Sequence, residues 1–259
     1  MSEISSISRF GKTEPFQLQV SRGQVAWHDA VTVWGYNPDV DQSIETVWGN
    51  GGIVSFIGAA GTMNVSSTST EDTSSGTGAR TIVIQGLDSN HDPITETVTL
   101  NGQTTVVTTK QFLHINYVYV ATAGSGKANA GTLYIGSGVN TAGVPATVYG
   151  AVYTGLNAST TACYTVPSGY TAYVVNGGIS AGQASGSSEV TGYLLTRDPT
   201  ADIARVVSAA AFNNGSAEYD FTLPLKVAEK YSIEARAVGK SNNNSVAAHF
   251  QLILIKNDA

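Results

Sequence analysis

The chain has 259 residues, 42% of them hydrophobic, which is enough to bury one large core or two smaller ones. Only 12% are charged, about half the usual fraction, and the net charge is -6 with no Lys/Arg cluster. Specific nucleic-acid binding needs a basic footprint and is excluded on that ground. The single cysteine, Cys163, excludes an intrachain disulfide.

A surface this poor in charge must be covered by Ser, Thr, Asn, Gln and Gly, and it offers little repulsion against association. The N-terminus MSEISSISRFGKTEPFQLQV lacks a positive region followed by an apolar one, so it does not read as a secretory signal. No apolar run approaches the ~20 residues of a spanning helix. The expectation is a soluble protein made in a cytoplasm, with no membrane partner.

In chain order, residues 1–26 read as an extended N-terminal arm, since Gly11, Pro15 and Gly23 interrupt any helix. Its apolar residues Phe10, Phe16 and Leu18 are candidates for ordering on a neighbouring subunit. All three tryptophans follow, Trp27, Trp34 and Trp48, the last two in alternating strand patterns around the turn Asn37-Pro38-Asp39. They are expected in the core or at subunit contacts.

Residues 60–140 read as a run of hairpins. Arg80–Leu87 and Ile94–Leu100 alternate around the turn Asp88–Pro93, and Asn101-Gly102 is a strong hairpin signal leading to Gln103–Thr109. The stretch Ala121–Gly131, ATAGSGKANAG, looks at first like a phosphate-cradling loop. The spacing fails: Ala121 stands where the first glycine belongs, Ala128 where a hydroxyl belongs, and Thr132–Ile135 alternates as a strand. It reads as a loop between two strands of a hairpin.

Gly143, Pro145 and Gly150 suggest a boundary. Beyond it come Cys163–Val166, Tyr170–Val175, Val190–Arg197, Ala204–Ala211, Ala217–Leu223, Tyr231–Val238 and Val246–Ile255. Pro199–Ala211 could also form a helix, and Pro224 suggests a bend. The nearly all-apolar Phe250–Ile255 is expected to be central and covered on both faces. The fold expected is all-β: two antiparallel β-sandwich domains, 27–145 and 146–259, the second jelly-roll-like.

Reactive chemistry is sparse. Asp88–Asp92 opens like a calcium loop, but Pro93 replaces the required glycine and Thr99 the bidentate Glu. His28, His91, His114 and His249 show no ligand spacing. Gly182–Gly186 misses the nucleophile-elbow spacing, and no carboxylate pair can be nominated. Cys163 lies in a strand pattern and reads as a buried small hydrophobe. The expectation is no catalytic residue, no metal and no cofactor.

Three segments carry a resemblance: Gly76–Asp88 with Ile94–Gly102; Ile115-Asn116 with ATAGSGKANAGT; and Trp34–Asp41 with Glu45–Trp48. Over roughly residues 14–140 the chain resembles a family of virion structural proteins of tailed bacteriophages, frequent in phages of cyanobacteria and marine bacteria. The resemblance implies a virion protein without enzymatic activity, most readily a capsid decoration or cement protein on the capsid exterior, made in the bacterial host cytoplasm. Its partners would be the major capsid protein and further copies of itself, as a trimer by analogy with capsid jelly rolls. Phe10, Phe16, Leu18, Trp27, Trp34 and Trp48 are the candidate interface residues. The alternatives are a tail or neck component, a glycan-binding receptor protein using Tyr193, Tyr219 or Trp27, and a polysaccharide-degrading enzyme.

Overall fold

The computed structural model describes residues 8–9, 12–183 and 189–257. It is all-β, with every paired strand antiparallel. After the short pair β1 (Ser8–Arg9) and β2 (Lys12–Thr13) comes α1 (Phe16–Ser21). Residues 16–21 of the arm are therefore helical where the whole arm was expected to be extended. Pro15 sits at the helix entry, where a missing N–H costs nothing, and its carbonyl accepts the N–H groups of Leu18 and Gln19 at 3.0 and 3.1 Å. Gly23 turns the chain out at φ 65°. Of the residues read as helix breakers, Pro15 and Gly23 delimit the helix instead. Phe10 lies outside the described residues.

The long strand β3 (His28–Val40) runs into the short β4 (Glu45–Thr46). The chain then builds β5 (Asn64–Ser67), β6 (Ala79–Leu87), β7 (Pro93–Thr99), β8 (Val106–Val107), β9 (His114–Ala123), β10 (Leu133–Thr141) and β11 (Val144–Val152). These form two sheets, ordered β11-β10-β5-β8 and β7-β6-β9. One buried cluster joins them, with Val65, Leu133, Ile135 and Val152 from the first and Ile82, Ile84, Val98 and Val118 from the second.

The remaining strands are β12 (Cys163–Thr165), β13 (Tyr170–Gln183), β14 (Glu189–Asp198), β15 (Ile203–Asn213), β16 (Gly215–Val227), β17 (Ser232–Gly239) and β18 (Asn244–Lys256). One sheet is ordered β16-β13-β18-β3 and the other β12-β17-β14-β15, with β4 also on β17. Their shared cluster includes Val33, Val174, Phe250 and Leu252 from one sheet and Val190, Leu194, Ile233 and Ala235 from the other.

The ends of the excursion through β5–β11 are stitched together. Val47 N–H donates to Ala235 O at 2.9 Å, Ala162 N–H to Val47 O at 3.0 Å, and Ala235 N–H to Ala162 O at 2.9 Å. β4 and β12 thus occupy successive lengths of β17, at 236–237 and 232–234. Two consequences run against the expected division at 145/146. That point falls inside the β10–β11 hairpin, whose turn residues Ala142 and Gly143 have φ of 50° and 85°. And β3 belongs to a sheet made otherwise of strands beyond residue 169.

Other connections also differ from the local signals. Asn101-Gly102 joins no hairpin, because β7 pairs with β6 while β8 pairs with β5. Gly102 uses its positive φ to bring its N–H to Asp72 O at 2.8 Å. Ala121–Gly131 passes from β9 to β10, which lie in different sheets. Pro199–Ala211, the helix alternative, resolves as a turn over 199–202 leading into β15. β16 runs on through Pro224, which an edge strand tolerates. β18 is central as expected, but its burial alternates, leaving Ile253 and Ile255 only half-buried on the outer face.

Candidate functional site

The glycine-rich stretch that resembles a phosphate loop does bind an anion, and the anion is the chain's own. The Asp72 carboxylate, fully buried, accepts the N–H groups of Ala130 and Gly131 at 2.8 and 2.9 Å, that of Ala79 at 2.7 Å, and the Ser67 hydroxyl at 2.6 Å. Gly124 and Gly126 N–H groups are spent on Gly78 O and Thr77 O. Gly78 must be glycine here, since a Cβ would lie 2.2 Å from Asp72 Oδ1. The calcium-like stretch is likewise closed on itself: the Asp88 carboxylate accepts the N–H groups of Asn90 and Asp92 at 2.8 and 3.0 Å. Among the described residues no group of three His, Cys, Asp or Glu converges on a metal-sized site.

A cleft of about 630 Å³ lies between the Asp29–Trp34 length of β3 and the β7-β6-β9 sheet. Trp34 and Tyr170 are half-buried in its walls, Tyr117 is exposed, and Tyr164 is buried at its base. Burial first, then the charges of Asp29 and Tyr170, push the Tyr164 hydroxyl well above the usual phenol range. Among the described residues, Asp29 is the one charged residue in the lining. Thr161, 8% exposed, also lines the cleft, and its buried hydroxyl has no hydrogen-bond partner among the described residues. Asn116 is committed to structure: its amide exchanges two bonds with the Thr165 backbone, at 2.9 and 3.0 Å, tying β9 to β12. The arrangement offers aromatic faces, free hydroxyls and one carboxylate. Among the described lining residues none forms a nucleophile–base pair.

A second cluster lies where β9 meets the β12 sheet. The His91 and His114 rings are 5.1 Å apart, Phe56 stands 6.2 Å from His114, and the Arg197 guanidinium lies 3.6 Å over the Phe56 ring. His114 Nδ1 is 3.3 Å from the Thr165 hydroxyl. Burial, with His91 and Arg197 adding repulsion, lowers the His114 pKa to about 4. Burial also lowers His91, followed by Lys230. A neutral His114 in the fold against a normal one in the unfolded chain means that unfolding takes up a proton between about pH 6.5 and 4. Stability is therefore full above pH 6.5 and falls as pH drops through that window, by about 3 kcal/mol for a shift of this size. Thermal melts from pH 7.5 to 4 should show the loss, and His114→Gln should remove most of it. Nearby Cys163 is buried, and burial holds its thiol well above the ordinary value, which disfavours the reactive thiolate.

The candidate interface residues do not converge. Phe16 packs edge-on against His28 at 5.7 Å and Leu18 stays exposed on α1. Trp27 is 58% exposed, with Lys256 Nζ 5.2 Å from its ring. Trp34 faces the cleft. Trp48 is 2% exposed, its indole N–H bonded to Gly51 O and Gly52 O, and has no surface to offer a partner. Tyr193 and Tyr219 are both half-buried, Tyr219 against Phe221 and Tyr193 over a pocket of only about 10 Å³. Asp29, Tyr117, Tyr164 and Tyr170 carried no signal in the sequence, because a strand pattern does not say which strand edge faces open space.

No helix among the described residues is long and apolar enough to cross a membrane. No family model matches the chain, and no curated protein matches it. A solved structure of T=1 particles derived from infectious bursal virus aligns over 90% of this chain and 74% of that chain at 12% identity. Its TM-score is 0.14, a superposition that carries no argument about this chain.

Proposed function

We propose that this chain is a structural protein of a tailed-bacteriophage virion, a decoration or cement protein bound across capsomers on the capsid exterior. The observation that carries the reading is strand order. With β4 and β12 counted as two halves of one strand, the sheets run β3-β18-β13-β16 and β4/β12-β17-β14-β15. We read that order as the eight-strand double Greek key of a jelly roll, an architecture shared by viral capsid and lectin domains. On this reading there are two β-sandwich units. The jelly roll is made of residues 28–48 and 160–257, and the second sandwich is inserted within one of its strands.

The exposed edges agree with a life in a lattice. β15 and β16 end their sheets and are 11 and 13 residues long. They carry Ile203 and Val206 at 52% and 54% exposure and Leu223 at 85%. Long apolar edges invite further pairing, and a surface with 12% charged residues does little to resist it. The partners proposed are the major shell protein and further copies of this chain, through interfaces above ~1,000 Å² each. No turnover is part of the proposal.

Quantitative peptide mass spectrometry on gradient-purified particles of the source virus tests it. Copies comparable with the major shell protein are expected. A small multiple of the portal count would move the chain to the neck or tail, and absence from the particle would overturn the virion reading.

A further inference from the structure

We propose that the cleft beside β3 is a docking site for an extended peptide segment of another polypeptide, which adds to β3 as a further strand. The inference rests on which way the β3 backbone points. β3 ends its sheet, and its residues 28–37 pair with β18 in unbroken register from Ile255↔His28 to Val246↔Asn37. Tyr36 N–H does not point at β18; it donates to Thr160 O at 3.1 Å on the opposite side. Backbone direction alternates with period two along a strand. The N–H and C=O groups of Trp34, Thr32 and Ala30 therefore point the same way as those of Tyr36, into the cleft. Among the described residues none of them has a backbone partner there.

Such a row repeats every two residues, about 6.8 Å, which is the repeat of an extended chain and of little else. A pyranose chain steps at a shorter interval and falls out of phase after one ring. Asp29 to Trp34 spans roughly 17 Å of strand. A cleft of about 630 Å³ along that length accommodates one extended segment rather than a folded element.

The walls specify the segment further. Trp34, Tyr117, Tyr164 and Tyr170 offer apolar faces to alternate side chains. Asp29, alone in charge among the described lining residues, selects a Lys or Arg at its end of the cleft. The partner segment is thus about five residues, extended, free of proline at the pairing positions and basic at one end. This is strand addition, in which main-chain bonds supply affinity and alternate side chains supply specificity. It does not depend on the virion reading.

The test is selection of a random ten-residue peptide library on the full chain. Enriched peptides should share an alternating apolar pattern with one basic residue. Binding should protect the amides of Ala30, Thr32 and Trp34 from hydrogen exchange. Thr32→Pro removes one outward N–H on an edge strand without touching the β18 ladder, and should weaken the selected peptides at least tenfold. Asp29→Asn should abolish the preference for Lys or Arg. No enrichment, protection elsewhere, or peptides that bind without protecting these three amides would overturn the proposal. A glycan-array signal with no peptide enriched would reassign the cleft to sugars. If Thr32→Pro fails to fold, the exchange pattern on the wild-type chain decides.

Discussion

Asp72→Ala should destabilise the chain by about 4 kcal/mol, since each buried donor left without an acceptor costs about 1–3 kcal/mol. Four donors depend on this one carboxylate: Ser67 Oγ and the N–H groups of Ala79, Ala130 and Gly131. They come from the end of β5, the start of β6 and the approach to β10, so the carboxylate joins the two sheets of the β5–β11 unit. Water does not replace it easily, because the Gly78 backbone closes over Oδ1. Asp72→Asn keeps the shape but turns an amide N–H₂ toward N–H donors, and should cost about 2 kcal/mol. Urea unfolding of the two variants checks both values. A loss below 1 kcal/mol for the alanine variant would show that solvent reaches the pocket.

This joint also shows where the sequence was readable. The strands themselves are plain from alternation: β6, β7, β14, β17 and β18 lie within a few residues of their expected positions, because a strand with one buried face needs period two. Pairing is a different matter. Asn101-Gly102 has the local chemistry of a two-residue hairpin, yet Gly102 serves Asp72, thirty residues upstream. Glycine supplies a positive φ wherever one is needed, and its neighbours in sequence do not say what the φ is for.

The same limit hid the architecture. β3 was grouped with the strands that follow it, but it lies against β18, more than 200 residues away. Nothing in Ala30–Tyr36 distinguishes the two choices, since alternation reports a buried face and is silent about the neighbour along the hydrogen-bonded edge. The cleft was illegible for that reason as well: it exists because the β3 edge is left open. The helix α1 was missed differently. At six residues it is too short for periodicity to register, and the Pro and Gly that bound it read equally well as signs of no helix.

Arg236→Met should cost about 3–5 kcal/mol, the penalty for leaving a buried charge without its partner. Glu234 and Arg236 have side chains 1% and 13% exposed, joined by two bonds, Nε to Oε1 at 2.8 Å and Nη2 to Oε2 at 2.7 Å. Burial alone would lower the Arg236 pKa, but the hydrogen bonds and charge of Glu234 more than offset it and raise it. The Thr46 hydroxyl also donates to Glu234 and itself accepts the Val54 N–H at 2.9 Å. The pair therefore sits where β4 and β12 meet on β17, the point at which the chain leaves this sheet and returns to it. Removing the guanidinium strands a carboxylate with one hydroxyl for company.

The double variant Glu234→Gln with Arg236→Met should recover most of the loss, because a neutral amide still accepts the Thr46 bond and carries no charge to desolvate. Unfolding of the two single variants, the double and the parent gives the coupling directly, expected at about 3 kcal/mol. The loss should also change little between 0.05 and 0.5 M salt, because ions screen a pair this buried poorly. If the double variant is as unstable as Arg236→Met, the charge is not what the site protects, and the guanidinium acts by packing β4 and β12 in place. Hydrogen exchange would separate the cases: a charge effect lowers protection across the β17 sheet, and a packing effect releases Val47 and Ala162 first.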